Sequence, residues 1–176
     1  MKPWKEPGTV EGNPIGLERT ATTKMVKELD AHLASLMVQY HQYLKHHWLV
    51  EGPQFRDIHL FLNEAYEEVA KQADQVAERI TALGGIPTCD PVAQARISFI
   101  AHEPEGTFRI RPSLESDRSN EGEIAKRMRT SIKLAQKLGD FGTEHLLKET
   151  LLDVEDRAHH LDHFLGADSL EMGLGT

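Results

Sequence analysis

Apolar residues recur at helical spacing in four long stretches of this chain, and the breaks between them set the plan of the molecule. From Thr20 to about Val50, the residues Met25, Leu29, Leu33, Leu36, Met37, Tyr40 and Leu44 share one face, which predicts a long amphipathic helix. Glu51-Gly52-Pro53 ends it, Gly closing one helix and Pro suiting the first turn of the next. A second helix is expected from about Gln54 to Leu83, with Ile58, Phe61, Leu62, Ala65, Val69, Ala73, Val76 and Ile80 inward, stopping at Gly84-Gly85-Ile86-Pro87. The third runs roughly from Leu114 to Leu138, burying Ile124, Met128, Ile132, Ala135 and Leu138. Gly139-Asp140-Phe141-Gly142 turns it into a fourth, from Thr143 to about Leu165.

Residues 88–112 are a long connection, expected to carry a short helix around Val92–Phe99. Four helices in two hairpins with one long crossover is the ferritin-like pattern among helical bundles, so the fold class is all-α. Residues 1–18 are rich in Pro and Gly and lack periodicity, which reads as a flexible tail. The bundle domain is then 19–168, followed by a C-terminal tail at 169–176.

Composition narrows the function. With 20 basic against 28 acidic residues the net charge is −8, unlike the basic footprint of a dedicated nucleic-acid binder and suited to attracting cations. Residues 1–24 carry Lys2, Lys5, Arg19 and Lys24 against Glu6, Glu11 and Glu18, too near neutrality to release many counterions, so DNA binding should be weak or absent. No stretch approaches the roughly 20 apolar residues of a membrane span. The start of the chain lacks the apolar core of a signal peptide, so a cytoplasmic location is expected. The single Cys89 excludes an intrachain disulfide and is expected as a small packing residue. Ten histidines are the unusual number, and eight of them cluster: His41, His46, His47 and His59 in one region, His145, His159, His160 and His163 in another.

Placing the second helix on a wheel of about 100° per residue, with His59 at zero, puts Asn63, Asp74, Glu67 and Glu78 within about 100° of it. One edge therefore carries an imidazole, an amide and three carboxylates, a donor set that iron(II) accepts, although a solvated acidic face would look the same. His59 and Asp74 lie fifteen residues apart, roughly 22 Å along a helix, so one chain cannot place both on one metal. Two antiparallel copies of this helix would bring His59 of one subunit beside Asp74 and Glu78 of the other, and a two-fold axis would repeat the site. A site inside the bundle would use Glu-x-x-His pairs, and none of the ten histidines has Glu three residues before it.

The run His47-Trp48-Leu49-Val50-Glu51-Gly52-Pro53-Gln54-Phe55-Arg56-Asp57-Ile58-His59, followed by Asp74-Gln75-Val76-Ala77-Glu78-Arg79, resembles the signature of the Dps family of mini-ferritins, and the resemblance spans roughly residues 20–168. It implies a hollow shell of twelve subunits, built from two-fold dimers, that oxidises Fe(II) with hydrogen peroxide or O2 and stores the ferric mineral. His47 and His59 of one subunit with Asp74 and Glu78 of the other would be the ferroxidase ligands, and zinc would compete for them. The alternative is a nucleoid-associated, DNA-binding shell in which metal binding is secondary.

The family usually carries a carboxylate where this chain has Asn63, which leaves Asn63, Glu67 or His163 to serve a second metal. His163 stands one turn from His159 at the end of the fourth helix, where histidines also favour the helix dipole, and the cluster resembles that of a His-rich branch of the family. The resemblance makes Trp48 a radical-intercepting aromatic; Tyr43 and Tyr66 read rather as core. Glu64, Glu67 and Glu68 would nucleate mineral if their face lines the cavity. Asp140, Glu144, His145 and Glu149 would line an iron entry pore by focusing the field, or simply serve the start of the fourth helix.

Overall fold

The computed structural model describes residues 2–166. Among them are five helices and no strand: α1 (Arg19–Leu49), α2 (Phe55–Ala82), α3 (Pro91–Ile97), α4 (Ile110–Lys137) and α5 (Phe141–Phe164). The four long helices and the short one in the crossover match the expected plan. α4 starts four residues before the expected Leu114, because Pro112 sits in its first turn, where a backbone N–H has no intrahelical partner to lose. The expected C-terminal tail at 169–176 lies outside the described residues. No described helix is long and apolar enough to cross a membrane.

Cross-helix contacts fix the directions. Glu28 meets Arg127, His32 meets Ser131, Gln39 meets Asn120 and His46 meets Asp117, so α1 and α4 run antiparallel. Gln72 meets Asp153 and Arg79 meets Thr143, so α2 and α5 run antiparallel too. With α1 and α2 joined as a hairpin, α2 and α4 must be parallel, and their connection has to travel the length of the bundle, roughly 40 Å. The crossover does so along α1, which holds it at successive levels. Asp30 accepts from the Thr88 N–H (2.8 Å) and hydroxyl (2.7 Å), the Ser35 hydroxyl accepts from the Phe99 N–H (3.1 Å), and Gln42 Oε1 accepts from the Glu103 N–H (2.8 Å).

Much of the apolar face that the periodicity selects is fully buried, with Met25, Leu29, Leu36, Ile58, Leu62, Ile80, Ile124 and Met128 joined by Leu147, while Met37, Tyr40, Leu44 and Phe61 are partly buried. Ile132 and Leu138 are only partly buried, and Cys89 is exposed rather than packed. Residues 2–18 form no helix, yet they lie against the bundle: Val10 is buried and the Glu11 N–H donates to the Gly84 carbonyl (2.9 Å). A Cβ on Gly84 would stand 2.6 Å from the Glu11 carbonyl oxygen, and its φ is +84°, so only glycine fits that crossing.

The end of the crossover is fixed by charge. His46 is buried with its Nδ1 2.6 Å from Asp117 and its Nε2 2.9 Å from Glu103, and Lys45 reaches Glu103 (2.7 Å) and the Pro104 carbonyl (2.6 Å). Burial opposes protonation of His46, but the hydrogen bond and charge of Asp117, joined by Glu103, outweigh it and raise its pKa. Burial likewise opposes ionisation of Glu103, and Lys45 and His46 outweigh that and lower its pKa. A raised folded-state pKa gives stability that is complete below the ordinary value of 6.5 and fades as the pH rises through the folded value. His46→Gln is therefore expected to cost about 3 kcal/mol near pH 6, since it leaves the buried Asp117 without its cation. The deficit should shrink toward about pH 9 in urea titrations. A deficit that stayed constant over that range would mean that His46 is neutral in the folded protein.

Candidate metal centre

The end of α1 and the start of α2 are brought together by the tight turn at Gly52 (φ +107°), and this sets His47 against His59. Their rings stack with centroids 3.8 Å apart. His47 Nδ1 lies 3.1 Å from the His59 carbonyl oxygen, and His59 Nδ1 lies 3.0 Å from the His47 carbonyl oxygen. A carbonyl can only accept, so both Nδ1 atoms carry the proton, and in the neutral tautomer each Nε2 is the atom with a lone pair for a metal. Such an outer hydrogen bond is the usual means of fixing a metal-binding imidazole in tautomer and orientation. The pair is half-buried and sits among aromatic rings: Phe55 stacks on His59 (4.8 Å) and Tyr66 sets its ring edge to His47 (5.3 Å).

The next turns of α2 continue the same edge. The Tyr66 hydroxyl donates to Asn63 Oδ1 (2.9 Å), and Asn63 Nδ2 donates to Glu67 Oε1 (2.9 Å). The amide is thus oriented with its nitrogen toward the carboxylate, and its oxygen is engaged by the phenol. Tyr66 was missed as a neighbour of the site, although seven residues after His59 it falls only about 20° from it on the helical wheel.

Asp74 and Glu78 stand exposed farther along α2, and among the described residues neither carboxylate has a hydrogen bond or ion pair. Among those residues, no group of three or more His, Cys, Asp or Glu could hold a metal within one chain. His47 and His59 are brought together; Asp74 and Glu78 are not brought to them. That separation is what fifteen residues of helix require.

The other expected residues divide. His159 and His163 are neighbours (centroids 4.3 Å), and His160 packs against Phe61 (5.9 Å). Phe61 lies about 200° around α2 from His59, so within one chain His163 does not approach the first histidine pair. Glu68 pairs with Arg157, whereas Glu64 is exposed. Asp140 does not line a pore: it is 1% exposed, caps α5 through the Thr143 N–H (3.0 Å) and pairs with Arg79. Glu144 pairs with Lys148 (2.6 Å), and the exposed His145 and Glu149 face each other at 3.4 Å. Trp48 is 70% exposed and Leu49, Phe55 and Leu60 are exposed near it, leaving an apolar surface beside the histidines. Tyr43, by contrast, is a core residue.

The ferritin-like domain family matches residues 26–170. The DNA protection during starvation protein of Halobacterium salinarum is 43% identical over 164 residues, covering 93% of this chain and 90% of that protein. Among solved structures, an archaeal Dps homologue from the same organism superimposes with a TM-score of 0.93 at 41% identity, covering 97% of this chain and 95% of that one. The Dps protein of Vibrio cholerae O1, described as a member of a broad superfamily of ferritin-like diiron-carboxylate proteins, gives a TM-score of 0.84 at 25% identity over 90% and 99% of the two chains.

The orientation of Asn63 has a measurable consequence. Asn63→Asp replaces the donor to Glu67 by a second carboxylate one turn away, which should cost about 0.5–1 kcal/mol at this partly exposed position. A divalent cation on that edge should reverse the sign. Thermal melts with and without Co(II) are expected to show a variant that is less stable alone and gains more than the parent on addition of metal. An unchanged Co(II) response would place the cation elsewhere.

Proposed function

This chain belongs to the Dps family of ferritin-like proteins, and from that membership we propose that it oxidises Fe(II) at sites shared between two subunits and stores the ferric product inside a closed shell. The observation that carries the reading is the histidine pair: two Nε2 lone pairs fixed by reciprocal bonds to carbonyls, with no third ligand in reach on the same chain. An antiparallel α2 from a second subunit would supply Asp74 and Glu78, completing two imidazoles and two carboxylates around each Fe(II). The exposed Trp48, Leu49, Phe55 and Leu60 would then be covered by that partner. The twelve-subunit shell, its cytoplasmic location and zinc as a competitor for the same ligands are part of this reading.

In the reaction each Fe(II) loses one electron. Peroxide takes up two, its O–O bond breaks, and with two protons it leaves as two waters; O2 is the other oxidant of the reading. What this chain contributes is placement of the metal on neutral imidazoles and charge compensation by carboxylates, which favours the ferric over the ferrous ion. Trp48, directly after the first ligand in sequence, would surrender an electron to a radical formed beside the metal. Exposed Glu64 and Glu67 would hold Fe(III) as mineral begins, whereas Glu68 has one oxygen committed to Arg157.

An Asp74→Ala, Glu78→Ala double variant should oxidise Fe(II) more slowly by at least a factor of about 10–100, because it removes ligands from the partner's half of every site. Stopped-flow absorbance after anaerobic loading reads this, with light scattering on the same samples to verify that the shell is intact. Oxidation at the parent's rate would locate the chemistry elsewhere, and a parent of 19.8 kDa in solution would rule out shared sites.

The relative named for DNA protection favours a second reading, a DNA-coating shell. The net charge of −8 argues against tight duplex binding by this chain. Gel shifts at physiological salt, without divalent metal, should leave duplex DNA free. Stoichiometric retention would promote the DNA-coating function over the oxidase.

A further inference from the structure

The proposed reaction makes no use of a charged cluster at the centre of the bundle, where side chains from all four long helices converge. Glu121 of α4 is 0% exposed and Arg157 of α5 is 3% exposed. Arg157 Nε donates to Glu121 Oε1 (2.8 Å) and Nη2 to Glu121 Oε2 (3.2 Å), a two-pronged contact. Its Nη1 donates to Glu68 Oε2 and its Nη2 also to Gln72 Oε1 (3.2 Å), both on α2. From α1 the Tyr43 hydroxyl donates to Glu121 Oε1 (2.7 Å). Every group that the guanidinium meets is therefore an oxygen acceptor: two carboxylates and an amide carbonyl.

A polar cleft of about 390 Å³ lies between α2 and α5, and its wall includes Glu68, Lys71, Gln72, Glu149 and Asp153. A cation drawn into that cleft would reach Glu68, and behind it Glu121. Bundles of this architecture hold metal ions in their cores on carboxylates from facing helices, and here the oxygen atoms that could do so already point at one place.

We propose that Arg157 is a specificity determinant: its guanidinium fills, as a permanent cation, the position between Glu68 and Glu121 that a divalent metal would otherwise take. Fe(II) is thereby denied a site inside the bundle and left to the shared interface site, so this inference rests on the reading of Fe(II) as substrate. Arginine suits the role better than lysine or histidine would. Its planar fork satisfies both oxygens of Glu121 while its remaining N–H groups reach Glu68 and Gln72, a geometry that a single ammonium or imidazole does not reproduce. Burial opposes its charge, yet the field and hydrogen bonds of Glu121 more than offset this and hold its pKa above the usual arginine value.

The test counts metal in the assembled protein by equilibrium dialysis against Co(II). To keep the interface site out of the count, each chain also carries Asp74→Ala and Glu78→Ala. Against that background Arg157→Gln should bind one further Co(II) per chain. Arg157→Lys, which keeps the charge, should bind none, and neither should Arg157→Gln combined with Glu121→Gln. If Arg157→Gln unfolds without metal, the readout becomes its circular dichroism on refolding with Co(II), and recovery that the Glu121→Gln double variant does not need supports the proposal. A folded Arg157→Gln with no added Co(II), an extra Co(II) in Arg157→Lys, or no recovery on refolding with Co(II) would each overturn it. Failure of the shared-site reading shows separately, as loss of no Co(II) when Asp74→Ala and Glu78→Ala are introduced into the parent.

Discussion

Along α2, fifteen residues of hydrogen-bonded backbone hold His59 and Asp74 roughly 22 Å apart, and no side chain can shorten that distance. The function of the molecule is organised around this rigidity. Two histidines can meet within one chain because a tight turn folds α1 back on α2, but carboxylates four to five turns farther along cannot join them on one metal in the same chain. In the proposed function the single chain is half of a chemical device, and a partner would cover the exposed apolar residues beside the histidines. The crossover serves the same end. By running along α1 it leaves the outward edge of α2 uncovered, where a partner helix could lie.

Polar groups inside the bundle are distributed with comparable economy. At one end His46 sits between Asp117 and Glu103 and closes the crossover; at the centre Arg157 sits between Glu121 and Glu68. The first sets His46 and Lys45 against two carboxylates and the second sets Arg157 alone against two, and in each a cation comes from a different helix from at least one of its partners. Such groups do little for net stability compared with an apolar core, but they define which helix faces which. His32 does the opposite: burial and then the nearby Arg127 push its pKa down to about 3, so it bonds Ser131 as a neutral ring.

The helices, their order and the separation of the histidine pair from Asp74 and Glu78 within one chain were legible in the sequence because they depend on local period and on distance along one helix. The Gly52 turn and the His47–His59 spacing carry that information directly. Arg157 and Glu121 were not legible, since they are 36 residues apart in sequence and their pairing exists only once α4 and α5 pack. A periodicity reading counts such residues as polar and assigns them outward. Asp140 shows the complementary error: an acid that looks like part of a pore is buried at the start of α5, because the backbone N–H groups of a first turn and Arg79 both require it. Tyr66 could have been found by placing it on the same wheel as His59.

The bond from His59 Nδ1 ends on the carbonyl of His47, which belongs to the last turn of α1, where carbonyls have no amide of their own helix to meet. The second imidazole is therefore also the cap of the first helix. Fraying of that terminus and misalignment of the donor atoms are one event, so the region of the backbone that would ordinarily be loosest is stitched by the ring that must stay still. A neighbour that grips the exposed nitrogen of His59 would tighten the end of α1 as well, and the centre would report its occupancy through the order of a helix terminus rather than through any change of shape.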